Sequence, residues 1–223
     1  MRRSDINALL REAAAFFAAH QFALPPWAAW SPEEWAAHPA VARYCAARQM
    51  GWDVTDFGSG DFPRRGLVLF CLRNGIAGVP GEAPYAETLM MVREGQETPW
   101  HWHRVKMEDI IVRGGGSLAV EVFSRTADGR RGEGPVIVHC DGMAREVAPG
   151  EPILLAPGQS ITIPRGLAHR FYGAPSTGTV LVGEVSQVND DHADNVFLEE
   201  LPRFAAIEED EPPLHPLWNE VAA

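Results

Sequence analysis

Cysteine is scarce in this chain: Cys45, Cys71 and Cys140 are the only three among 223 residues, far apart and in no Cys-x-x-Cys pair. That spacing excludes a disulfide scaffold and a cysteine-built zinc knot, and it points to reduced thiols in the cytoplasm. Long apolar runs are missing as well. The best, Ala13 to Ala19, has seven residues, against the roughly 20 that cross a bilayer. Arg2-Arg3 is followed by Ser4-Asp5-Ile6-Asn7, where a secretion signal would turn apolar. The expectation is a soluble protein with no membrane partner. Positive charge is in deficit, with 19 Lys and Arg against 30 Asp and Glu and a net charge of −11. Arg2-Arg3, Arg64-Arg65 and Arg130-Arg131 are the only basic clusters, each beside turn residues, so nucleic acid is excluded as a partner. Internal repeats and low-complexity linkers are absent. Gly114-Gly115-Gly116 lacks the Lys-Ser/Thr and following helix of a phosphate loop, and reads as a bend between strands.

What is present divides in two. Residues 1–50 are Ala-rich with helical spacing, and residues 51–223 carry the short strands, so the expected organisation is one domain with an N-terminal helical decoration. Ser4 is placed to cap a helix running to about His20, with Ile6, Leu9, Leu10, Ala13, Phe16 and Phe17 on one face. Ser31-Pro32-Glu33-Glu34 marks a second helix start and Pro39 a third, ending near Gln49. From Trp52 onward, short aliphatic runs bounded by Gly, Pro and Asp predict seven or more strands, an all-β sandwich or barrel. Glu208-Glu209-Asp210-Glu211 reads as an exposed, solvated acidic tail. Trp27, Trp30 and Trp35 read as packing within the helical layer.

The chemistry concentrates in two segments. In a strand, residues i and i+2 share a face, so His101 and His103 project side by side, and Glu108 returns after a short turn. Two imidazoles and a carboxylate on one side of an ion suit Mn²⁺, Fe²⁺ or Zn²⁺. A fourth donor, His169, follows Pro164-Arg165-Gly166, a tight reversal that sends it back into the barrel. The spacing Gly95-x5-His101-x-His103-x4-Glu108-x6-Gly115 matches the first cupin motif, and Gly158-x5-Pro164-x-Gly166-x2-His169 the second. The Asn that usually closes the second motif is Gly173 here, expected to be a loop position without effect on the ligands.

Longer blocks narrow the resemblance. Trp52 to Phe62, Met107-Glu108-Asp109-Ile110, Arg113 to Gly116, Gly183-Glu184-Val185-Ser186, Val188 to Asp191, Arg203-Phe204 and Ile207 to Glu211 together resemble the bacterial D-lyxose isomerase family, across essentially the whole chain. The resemblance implies a cupin jelly-roll barrel that binds Mn²⁺ (with Co²⁺, Fe²⁺ and Zn²⁺ as alternatives). It also implies interconversion of D-lyxose with D-xylulose, and often of D-mannose with D-fructose, the partner being a small aldose or ketose. The metal would be held by His101, His103, Glu108 and His169. Such a reaction needs a base serving two adjacent carbons. Glu184, in phase with Val180 and Val182 on an apolar face, is the candidate, the alternative being a carboxylate paired only for structure. Lys106 is the candidate donor to a substrate oxygen, unless it faces solvent. Asp190 and Asp191 either bind sugar hydroxyls or build a turn. Trp100, beside the first ligand, could stack on a sugar, as could Trp102. Arg113 is a substrate contact or an ion-pair residue. Exposed sheet edges are expected to give a homodimer. Two rival readings share the ligand set: a non-haem iron cupin dioxygenase and a non-catalytic sugar-binding cupin.

Overall fold

The computed structural model describes residues 1–221. Three helices come first, α1 (Arg3–Ala19), α2 (Pro32–Ala37) and α3 (Pro39–Ala47). Six strands follow: β1 (Gly51–Thr55), β2 (Leu67–Arg73), β3 (Tyr85–Val92), β4 (Glu97–His103), β5 (Glu108–Gly115) and β6 (Leu118–Phe123). Seven more complete the chain: β7 (Val136–Cys140), β8 (Met143–Val147), β9 (Ile153–Leu155), β10 (Ser160–Ile163), β11 (Ala168–Gly173), β12 (Val180–Gln187) and β13 (Asn195–Phe197). They form two antiparallel sheets, ordered β1-β2-β3-β12-β5-β10-β7-β8 and β13-β4-β11-β6-β9. The all-β expectation with an N-terminal helical layer holds.

Period-two alternation sets which side chains meet. Met90, Ile110, Val112, Ile161, Val180 and Val182 of the larger sheet pack against Leu118, Val120, Val122, Ile153 and Phe171 of the smaller one. The opposite face of the larger sheet carries Trp52, Val54, Val68, Phe70, Leu89, Met91 and Leu181, covered by Ile6, Leu9, Leu10, Ala13 and Phe17 of α1. Each such side chain removed from water stabilises the fold by about 1.5–3 kcal/mol. Trp27, Trp30 and Trp35 pack as expected, with Trp27 stacked 5.0 Å from Phe70 and Trp30 edge-on to Trp35 at 5.1 Å.

Three expectations need correction. Ser4 is not the cap of α1. The helix starts at Arg3, with Arg2 in the cap position, and Asp210 accepts from both the Ser4 N–H (2.9 Å) and its hydroxyl (2.6 Å), so the capping carboxylate comes from the far end of the chain. The acidic segment is therefore exposed but pinned. Glu209 accepts from Arg3 Nε at 2.9 Å and Glu211 from Asn7 at 2.6 Å, while Glu220 also pairs with Arg3. Gly173 is the last residue of β11 rather than a loop position. A Cβ there would lie 2.3 Å from the Arg93 carbonyl oxygen, so Asn would not fit.

Arg3 has 2% of its side chain accessible and ties the two chain ends together. Arg3→Ala is expected to destabilise the protein by about 2 kcal/mol in urea unfolding. Its hydrogen bond to Arg3 holds the Glu209 carboxyl below its ordinary 4.5. A depressed carboxylate stabilises above its ordinary value and loses that contribution as pH falls. The difference between wild type and R3A should therefore narrow below pH 4.5.

Candidate metal and substrate site

The apolar filling between the sheets ends at one side of the sandwich, and polar residues of the same strands take over. On the smaller sheet, His169 of β11 pairs across to His101 of β4, and β13 sets Asn195 against His103 and Phe197 against His101. On the larger sheet, Glu108 of β5 lies beside Ser186 of β12, and Glu184 continues the inward row of Val180 and Val182. Imidazoles and carboxylates thus approach from opposite walls.

The ligand atoms of His101, His103 and His169 lie within 4.8 Å of one another, all three residues being buried. Backbone carbonyls aim two of the rings: His101 Nδ1 donates to Pro99 at 2.8 Å and His169 Nδ1 to Leu167 at 3.1 Å. A carbonyl only accepts, so each Nδ1 carries the proton and each Nε2 keeps its lone pair for the interior. Burial, then the neighbouring imidazoles, push His101 well below its ordinary value. His103 is lowered as well, by burial working against Glu108. Neutral imidazole is the form that binds a metal.

Glu108 places its two oxygens 3.2 Å from His103 Nε2 and 3.0 Å from His169 Nε2. Neither contact has hydrogen-bond direction, and both Nε2 atoms are buried without a hydrogen bond among the described residues. Lone pairs that converge without a proton between them are what a cation would satisfy. Burial would raise Glu108, but the Lys106 ammonium beside it acts to lower it. The three imidazoles can hold a metal ion, and Glu108 borders two of them.

Lys106 and Glu184 meet beside this cluster. Lys106 Nζ donates to Glu184 at 2.7 Å and to Asn189 Oδ1 at 3.0 Å, and lies 3.1 Å from Glu108. Burial would lower the ammonium, but Glu184 and Glu108 raise it, so it stays protonated. Lys106 does not face solvent. It sits in the turn between β4 and β5, where Asp194 accepts from the backbone N–H of Val105 at 2.6 Å and of Lys106 at 3.3 Å. The turn throws Val105 outward and Lys106 inward. The same carboxylate lies 3.7 Å from His103 Nδ1.

The cavity is lined by His101, His103, Lys106, Glu108, Glu184 and Asp191 among others. The other sequence candidates lie elsewhere. Trp100 alternates with the ligands and points away, packing on Phe123 at 4.6 Å under the Arg170 guanidinium. Trp102 does likewise, with Arg125 stacked at 3.6 Å. Arg113 is exposed and packs across Gly183 on the outer face. Asp190 builds its turn, accepting from Gln49 and from the His192 N–H. Sequence reasoning missed Asp194 and Asn189, and also Gln49, Phe57, Phe197, Arg203 and Trp218 on the cavity wall. The only signal for Phe57, Asn189 and Arg203 was their place in family-like blocks. The others had none.

The chain matches the family model described as D-lyxose isomerase over residues 1–221. It is 45% identical over 222 residues to a D-lyxose/D-mannose isomerase of Escherichia coli O157:H7, covering 99% of this chain and 98% of that one. A D-lyxose/D-mannose isomerase of Serratia proteamaculans is 46% identical over 224 residues, with 99% and 97% covered. Among solved structures, L-ribose isomerases share the fold at low identity. That of Geodermatophilus obscurus has a TM-score of 0.64 at 19% identity, and that of Cellulomonas parahominis with L-psicose has 0.63 at 18%. Each covers 93% of this chain and 98% of the other.

Asp194→Ala frees the β4–β5 turn and removes the carboxylate beside His103. Divalent-ion affinity, read by titration calorimetry, is expected to fall about 10- to 100-fold. The circular dichroism spectrum should be unchanged.

Proposed function

The chain belongs to the D-lyxose isomerase family and is a sugar isomerase, and from that premise we propose that it interconverts D-lyxose with D-xylulose and D-mannose with D-fructose, using a divalent metal. The observation that carries the mechanism is the pairing of Glu184 with Lys106 at 2.7 Å, in the cavity that His101, His103 and Glu108 also line.

His101, His103, His169 and Glu108 would hold the ion, Mn²⁺ in our reading, with Co²⁺, Fe²⁺ or Zn²⁺ able to use the same donors. When bound, it supplies Lewis-acid polarisation of the substrate carbonyl. Glu184 takes the proton from C2 of the open-chain aldose and returns it to C1, by way of a cis-enediolate. Its place on β12 suits this role. It is 14% accessible, so water reaches it poorly, yet it opens onto the cavity. Lys106 stays an ammonium and so serves as a donor rather than a base. It steadies negative charge on the substrate oxygens and passes a proton between O2 and O1, so that the aldehyde oxygen ends as a hydroxyl. Asn189 holds the same ammonium from the other side, fixing its direction. Asp191, on the cavity wall, contacts the sugar chain.

Family membership leaves the dioxygenase and binding-protein readings without support. A cytoplasmic setting is part of the proposal, since no cysteine forms a disulfide and no described helix is long and apolar enough to cross a membrane. So is a homodimer, favoured by exposed Ile137 and Met143 on the hairpin at the edge of the larger sheet.

Metal-stripped protein restored with Mn²⁺ and given D-lyxose in D₂O should form D-xylulose carrying deuterium at C1, followed by NMR. No product should form without metal. Absence of turnover on lyxose, mannose and xylose would sink the reading. Glu184→Gln should lower kcat by about 10²- to 10⁴-fold and still bind one metal ion per chain.

A further inference from the structure

One group on the cavity wall has no task in the mechanism above. Arg203 comes from the segment after β13 and has 12% of its side chain accessible. Its Nη2 lies 2.6 Å from Asp53 Oδ2 and 3.0 Å from Asp191 Oδ1. Its Nη1 is buried and has no hydrogen-bond partner among the described residues. A buried guanidinium N–H left unpaired is costly, and native structures supply it with an acceptor. Asp53 sits on β1, three strands across the sheet from Glu184 on β12, which is roughly 14 Å at the usual strand spacing. Asp53 thus anchors Arg203 from a strand well away from the one that carries the base.

Its charge is as telling as its geometry. Asp191 is ionised: burial opposes this, but Arg203 and Lys106 hold its carboxyl below the ordinary range. The guanidinium is balanced by that carboxylate alone, before Asp53 is counted. Lys106, the other cation lining the cavity, lies between Glu108 and Glu184. No net positive charge remains at the Arg203 end to hold a phosphate dianion.

We propose that Arg203 is a specificity-determining residue, its Nη1 donating to the terminal hydroxyl oxygen of the sugar while the flanking Asp191 carboxylate excludes a phosphoryl group there. The proposal rests on the isomerase reading and adds to it the residue that reads the far end of the sugar. A hydroxyl both satisfies Nη1 and can donate back to a carboxylate, whereas a phosphoryl dianion only accepts and is repelled by the ionised Asp191. Arg203→Lys keeps the charge but loses the planar fork that reaches two carboxylates and a third acceptor together.

The test compares metal-loaded wild type and R203K on D-lyxose, 5-deoxy-D-lyxose and D-lyxose 5-phosphate, with D-arabinitol affinity measured by calorimetry as a readout needing no turnover. In the wild type, removing the terminal hydroxyl should raise KM about 10-fold or more with kcat little changed. The 5-phosphate should lose at least about 100-fold in kcat/KM. R203K should weaken D-lyxose and D-arabinitol about 10- to 100-fold, and add little further loss on the 5-deoxy sugar. Equal KM values with and without the terminal hydroxyl would overturn the contact, as would an R203K penalty that persists on the 5-deoxy sugar. A 5-phosphate used as well as the free sugar would overturn the exclusion. If no sugar turns over, the isomerase reading fails by itself. Weaker D-arabinitol binding by R203K would then still support Arg203, and equal binding by both proteins would overturn it. The wild-type series stands whether or not R203K folds.

Discussion

Two sheets facing each other leave a gap that must be filled, and the way this gap is filled governs the molecule. Over most of its extent, aliphatic side chains from both walls interdigitate, with Val112, Val120, Val122, Ile161 and Val182 at the centre. At one end the inward positions of the same strands change character: Val180 and Val182 lead to Glu184, and Ile110 and Val112 lead back to Glu108. The apolar part sets the separation of the walls, about 10 Å in packed sheets. Facing imidazoles and carboxylates therefore meet near one point without any loop having to close over them. A rigid ligand set is the result, and rigidity is what metal binding and proton transfer require.

Burying this many charges is tolerable only because they compensate one another. Lys106 sits among Glu108, Glu184 and Asn189, and Arg203 sits between Asp53 and Asp191. Each cation is outnumbered by carboxylates, so the cavity is acidic in balance and leaves room for a divalent cation. Removing any one member would strand its neighbours in a medium of low polarisability. Asp194 shows how far the economy goes, since one carboxylate fixes a turn, directs Lys106 inward and faces His103.

The helical layer and the chain ends belong to the same structure. α1 covers the outer face of the larger sheet, while Gln49, just after α3, and Trp218, near the C-terminus, both reach the cavity wall. Arg3 and Asp210 lock the beginning of the chain to its end. Gln49 takes the left-handed backbone that ends α3, and its side chain accepts from the Asp191 N–H at 2.8 Å. The first fifty residues thus help to shape the site as well as to shield the sheet.

The all-β class and the helical layer were legible in the sequence, which also singled out His101, His103, Glu108 and His169 as candidate ligands and Glu184 and Lys106, separately, as candidate catalytic groups. All of these rest on local regularities: period two along a strand, period 3.6 along a helix, and motif spacings within about fifteen residues. Asp194, Asp53 and Arg203 were invisible in that way, because each acts on a partner far along the chain. The same reason explains the errors. Ser4 looked like a cap because the carboxylate that does the capping is 206 residues away. Trp100 looked like a substrate contact because it adjoins a ligand in sequence, whereas the pleat turns it to the opposite face. Which carboxylate meets which cation was decided only when the two sheets closed on each other, since that pairing depends on register and on distances no local pattern encodes.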